Sequence, residues 1–187
     1  MMKRIDYNAP VVLSFFFLSF FALVLGTVTR GNSNILLFSV YRAPLTNPLT
    51  FFRIFAHVLG HSSLSHFSSN MMLWLIVGPN LEEKYGSKNL ATMIVITAVA
   101  TGIIQMLFFP TILLGASGVV FMAIILASFG RISNGKIPMT LVMVVLIYLG
   151  NEIYLALFVN DNISQITHIV GGLLGMVFGF YLNPSQK

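Results

Sequence analysis

Ser117 stands in the stretch "LLGASGVVF", residues 113–121, between Gly115-Ala116 and Gly118. A serine hydroxyl becomes a nucleophile only when a base takes its proton, and near neutral pH histidine suits that work. The chain has four histidines, His57, His61, His66 and His168, and no cysteine. Thiolate chemistry and a disulfide framework are therefore excluded. His57 and His61 are four apart, a metal pair if that segment is helical. No H-E-x-x-H run, no cysteine and no acid within the segment completes such a ligand set, so no metal or other cofactor is expected. One chemistry open to these residues is acyl transfer, which needs a serine, a histidine, and N–H donors for an oxyanion. Each group also has a structural reading. Gly-x-Ser-Gly suits close helix packing, His168 can be a hydrogen-bonding core residue, and Asn70 can bond across helices.

The elements that position these groups follow from composition. Charged residues make up 8% of the 187, and mean hydropathy is +0.90. A soluble domain has about 25% charged residues, so this chain is expected to be an all-α integral membrane protein. Apolar runs predict six transmembrane helices over residues 11–29, 66–81, 90–109, 117–130, 137–158 and 167–182, in a single membrane domain spanning 1–187. No A-x-A-like cleavage site follows the first run, which reads as a retained helix. The long, more polar segment 30–65 reads as a first outer loop. Its "TFFRIFAHVLGH" suits a short helix lying in the interface. With the N-terminus inside, the inner segments collect Lys3, Arg4, Lys84, Lys88, Arg131, Lys136 and Lys187. The outer side keeps only Arg30, Arg42 and Arg53 of the first loop. This positive-inside bias predicts a multi-pass cell-membrane protein with both termini cytoplasmic.

Depth arithmetic brings three polar groups to one level. Asn70 to Glu82 spans ~18 Å, Ser117 to Arg131 ~21 Å and His168 to Asn183 ~22 Å at the helical rise. In a core ~30 Å thick, all three lie roughly 8–12 Å below the outer surface if the helices stand upright. The fourth run, at about 14 residues, reaches only ~21 Å and must begin inside the membrane. Non-helical backbone at that depth has to line a wet cavity or be buried in protein. Ser117 then opens a helix whose free N–H groups and positive dipole end favour negative charge. Gly171, Gly175 and Gly179 form a small-xxx-small face that allows close helix contact, and His168 lies three residues before Gly171 on nearly the same face.

The runs "HSSLSHFSSN", "GASG" and "THIVGGLLG", in this order, resemble the rhomboid intramembrane serine proteases from about Phe52 onward. The resemblance implies Ser117 as nucleophile and His168 as general base and acid. It implies His66, Asn70 and the Ser117 backbone N–H as oxyanion donors. It gives Arg53 a bracing role in the first loop, Glu82 a place at the cytoplasmic end of the second helix, and Gly171 the helix contact beside the base. Gly115 reads as the hinge of the dipping loop and Gly118 as room for a neighbouring helix or substrate. The sequence departs from the family pattern with Phe52 for a tryptophan, Lys84 for an arginine and Phe121 for a tyrosine under the histidine. None of these removes a group that performs chemistry.

A third triad member is not expected. Asp6, Glu82 and Glu83 are cytoplasmic by this topology. Asp161 lies in an outer loop, and Glu152 is further from His168 in sequence. The reading is a Ser-His dyad, active as a monomer, cutting transmembrane protein substrates near their outer ends in a bacterial plasma membrane. The lipid bilayer is its medium and nucleic acid is not a partner. Two other classes compete. One is a rhomboid-like protein that binds membrane clients without cutting them. The other is a small transporter, against which the absence of an inverted repeat counts.

Overall fold

A computed structural model describes residues 6–129, 137–158 and 165–182. The fold is helical, with one isolated antiparallel bridge, Val40 to Leu113, among the described residues. The helices are α1 (Pro10–Val28), α2 (Asn32–Leu36), α3 (Pro48–Ala56), α4 (Leu64–Tyr85), α5 (Ser87–Phe108), α6 (Ser117–Ala127), α7 (Met139–Val144), α8 (Gly150–Phe158) and α9 (Gln165–Leu182). A 3-10 turn, His57–Leu59, follows α3, and a π turn, Val145–Leu149, joins α7 to α8.

Among the described residues, four segments are long and apolar enough to cross a membrane: α1, α5, Met139–Phe158 and α9. α4 has 22 residues, or ~33 Å, but its sequence is more polar. α6 has 11 residues, or ~17 Å, shorter than the run expected over 117–130. α1 turns Val12, Phe15, Ser19, Ala22, Leu23 and Gly26 inward while Phe17, Leu18, Phe20 and Phe21 stay exposed. One buried stripe and an apolar outer face is the pattern of a helix between protein and lipid.

Three expectations are corrected. α4 does not end near residue 81. It carries the charged "EEKY" as its last turn, and Gly86 alone, at φ +80°, reverses the chain into α5. The first loop holds α2 as well as the expected short helix; that helix starts at Pro48, with Asn47 capping the Leu49 N–H. Glu82, expected simply as an acid at the cytoplasmic end of the second helix, is buried. Its carboxylate accepts from the N–H groups of Val11 and Val12 at 3.0–3.1 Å and from the Ser87 hydroxyl at 2.7 Å. The start of α1 is thus capped by an acid more than seventy positions later in the chain. Such a charge-assisted cap satisfies donors that would otherwise be stranded at a helix end. Trp74 fastens the same pair of helices. It is fully buried, donates to the Val12 carbonyl and packs on Phe15. Met71 is buried beside it, and Met72 faces outward. Lys3, Arg4, Arg131, Lys136, Asp161, Asn183 and Lys187 lie outside the described residues.

Candidate active site

The segment leading into α6 is held from both sides. Leu113 exchanges two backbone hydrogen bonds with Val40, at 2.8 and 2.9 Å, and the Gly115 N–H donates to the His57 carbonyl at 2.9 Å. Gly115 has φ +137°, a region a side chain rarely adopts, and a Cβ there would meet the His66 ring. Glycine lets the chain bend around the His66 imidazole and open a helix at Ser117. The preceding residue, Ala116, makes no side-chain cap. Val120 is the first α6 residue after the cap whose N–H bonds back, to Ala116. The N–H groups of Ser117, Gly118 and Val119 therefore have no intrahelical acceptor.

α9 lies directly against α6. A Cβ on Gly171 would collide with the Gly118 carbonyl, and one on Gly175 with Met122. This backbone-to-backbone seam fixes the height and rotation of α9. It lays the His168 imidazole flat on Phe121, with centroids 4.4 Å apart and planes 5° apart. Phe121 is one turn after Ser117, so the imidazole covers the face of α6 that carries the serine. The ring needs only an aromatic face below it; the hydroxyl of a tyrosine is not required for the stack.

His66 is in the first turn of α4, whose N-cap is Ser63. Its Nδ1 is 3.2 Å from the Ser62 hydroxyl. If that hydroxyl donates, Nε2 carries the proton and becomes a donor, facing Gly115 and the serine beyond it. His66 is also near enough to His168 for the two imidazoles to interact electrostatically. Asn70, one turn further along α4, donates to the His66 carbonyl at 2.9 Å, which leaves the second amide N–H of that group for another acceptor. Ser117, His66, Gly115, Gly118, His168 and Gly171 thus converge, with Asn70 a turn along from His66. Arg53 and Glu82 act elsewhere.

Arg53 is buried below the first loop. It donates to the Tyr41 hydroxyl at 2.6 Å, covers the Tyr41 ring at 4.5 Å and reaches the Thr50 hydroxyl at 3.4 Å. His57 supports the same loop. Its Nδ1–H donates to the Ile54 carbonyl at 3.0 Å, and its Nε2 faces the Thr101 hydroxyl on α5 at 3.3 Å. Burial, against weaker pulls from backbone hydrogen bonds, lowers its pKa to about 4. His61 instead stacks edge-on against His66 and Phe67. The two histidines four apart serve different joints, because the 3-10 turn between them breaks the helical face.

One acid overturns an expectation. Glu152 was placed too far from His168 to matter, yet its Oε2 is 2.9 Å from His168 Nδ1. The atoms are close but not aligned as a hydrogen bond, so each still lacks an in-line partner. Sequence distance misled because α8 and α9 pack side by side. The available signal was an acid inside an apolar run, which marks a functional hypothesis by default.

These features define a multi-pass helical membrane protein with a serine and a histidine on facing helices. A family model described as "Rhomboid domain" matches residues 48–185. The chain belongs to the rhomboid family, whose members are generally intramembrane serine proteases and include some without activity.

Proposed function

We propose that this protein is an active rhomboid-type serine endopeptidase that cleaves transmembrane substrates near the outer end of their helices. One observation carries the reading. Ser117 opens an uncapped helix while His168 is held over Phe121, on the serine's own helix face. A helix contact needed only for packing has no use for an imidazole stacked there.

In the mechanism, His168 Nε2 takes the Ser117 proton as Oγ attacks the substrate carbonyl, and the same proton passes to the leaving amine. The acyl-enzyme is then released by water. The N–H groups at the start of α6, His66 Nε2–H and the free Asn70 amide hydrogen hold the oxyanion. Each such donor is worth ~2.7–4 kcal/mol where one has been removed from other enzymes. The substrate helix must unwind locally, since intact helical amides are hidden in hydrogen bonds. Six spans, cytoplasmic termini, a site open to the outer side and action as a monomer without a cofactor complete the proposal. Charge placement and the shortness of α6 support it.

The test is Ser117→Ala in reconstituted vesicles with a transmembrane substrate, beside labelling by a serine-directed fluorophosphonate. Cleavage and labelling should vanish with Ser117→Ala and with His168→Ala, and survive a chelator. Folded wild-type protein that neither cuts nor labels would favour the second reading, a rhomboid that binds clients without cutting them.

A further inference from the structure

α8 is the least enclosed helix around the site. Ile153, Tyr154, Leu157 and Phe158 are exposed, as expected of a surface facing lipid. Its one buried residue is an acid, Glu152, at 6% exposure. A helix that turns its apolar side chains outward and its carboxylate inward needs an inner partner, because an unpaired buried charge is costly. That partner is His168 Nδ1, at 2.9 Å. The π turn Val145–Leu149 comes just before. A π turn adds a residue to one helical turn and so rotates everything after it, and such turns recur at functional sites.

We propose that Glu152 is a positioning residue for His168, completing a Ser117–His168–Glu152 relay in place of a dyad. This inference rests on the protease reading and deepens it. The neutral imidazole carries one proton, on either Nδ1 or Nε2. A carboxylate at Nδ1 holds the proton there and leaves Nε2 free to accept from Ser117 Oγ. When Nε2 takes that proton, the imidazolium forms beside a fixed negative charge. No proton passes to the carboxylate; it orients the ring and stabilises the ion pair, as the acid of a serine-protease triad does. A small rotation of either side chain aligns the 2.9 Å contact, and catalytic hydrogen bonds are often misaligned before substrate binds. Among the described residues, the other ionisable groups near this pair are His66 from α4 and Tyr148, whose ring packs edge-on against Phe121. α6 itself contributes none.

The geometry also has an opposite use. A protonated Glu152 would donate to Nδ1, force the imidazole proton onto Nε2 and switch the base off. Nitrogen-15 spectra of His168 in the full-length protein, with Ser117→Ala as reference for an undisturbed ring, separate the two. A neutral ring protonated at Nδ1 supports the relay; protonation at Nε2 overturns it.

Kinetics give a second reading. Glu152→Gln keeps size and removes charge. It should slow fluorophosphonate labelling at least about tenfold, lower kcat with KM held, and move the acid limb of the rate–pH profile to lower pH. Glu152→Asp should recover part of the rate. A Glu152→Gln protein with wild-type rate and profile overturns the proposal. So does an equal loss in both variants with an unmoved profile, which would mark a purely structural role. If Glu152→Gln does not fold, the nitrogen-15 result on wild type decides. A wild type that labels while Glu152→Gln is unaffected ends the relay alone; a wild type that never labels ends the protease reading itself.

Discussion

The two flanks of the site are built by different means. On one side α6 and α9 meet backbone to backbone through Gly118 and Gly171, and the segment before α6 is pinned to the first loop by Val40 and His57. On the other, the contacts of the π turn and α8 with α9 include a leucine, Leu149 against Gly172, and an acid, Glu152 against His168. Over that whole helical segment only Leu141, Leu149 and Glu152 are buried. The groups proposed to react are on the flank with no slack, whereas the group proposed to orient the base is on the flank with the fewest contacts. Lipid offers no hydrophobic drive to press helices together, so close packing and polar contacts set each helix's position. Without glycine-to-backbone contact, the second flank depends on its polar anchor.

The largest effect should come from the tight seam. Gly171→Val forces side-chain atoms into the Gly118 carbonyl. Labelling should be lost, and stability in detergent should fall by about 1–3 kcal/mol or more. A well-folded, fully active Gly171→Val protein would erase the contrast between the flanks. Leu149→Ala comes next. It empties the contact on Gly172 and should cost roughly 1–3 kcal/mol, the packing share of a buried Leu→Ala loss. Thermal unfolding in one lipid composition measures both.

Acid should attack the first flank specifically. His57 binds a proton in the folded protein only near pH 4, against 6.5 for a free imidazole. The unfolded chain therefore takes up the proton first as pH falls, and stability drops from about pH 6.5 toward 4. His57→Asn should lessen that slope, read as the midpoint of unfolding at pH 7 and at pH 5. His61, also lowered to about 4, supplies part of the rest. An unchanged slope would show that the loop joint does not depend on a neutral His57. The smallest effect belongs to the outer face of α8. Ile153 is exposed, and Ile153→Ala should leave stability within about ±0.5 kcal/mol.

Much of this was legible in the sequence, for reasons that are local. Membrane character follows from composition. Helix existence follows from apolar runs and start signals such as Pro10 and Pro48. The α9 glycines announce close contact because their four-residue period keeps them on one face. Ser117 at a helix start was expected because the run after it is too short to cross alone. The ends of α4 and α6 were less legible, since charged residues continue the one and irregular backbone shortens the other.

By itself, then, the sequence determined that the chain is a set of apolar helices, with a serine opening a short one and a histidine beside a glycine seam. Only the tertiary structure decided which distant groups meet. It set Glu82 on the start of α1, His57 between the first loop and α5, and Glu152 on His168. The reason is rotational. The fifth apolar run gives no periodic hint of its inner face, because lipid and protein interior are both apolar. A π turn then shifts that face by a step that no spacing rule records. Which side chain ends up against the histidine is settled by how whole helices turn against one another.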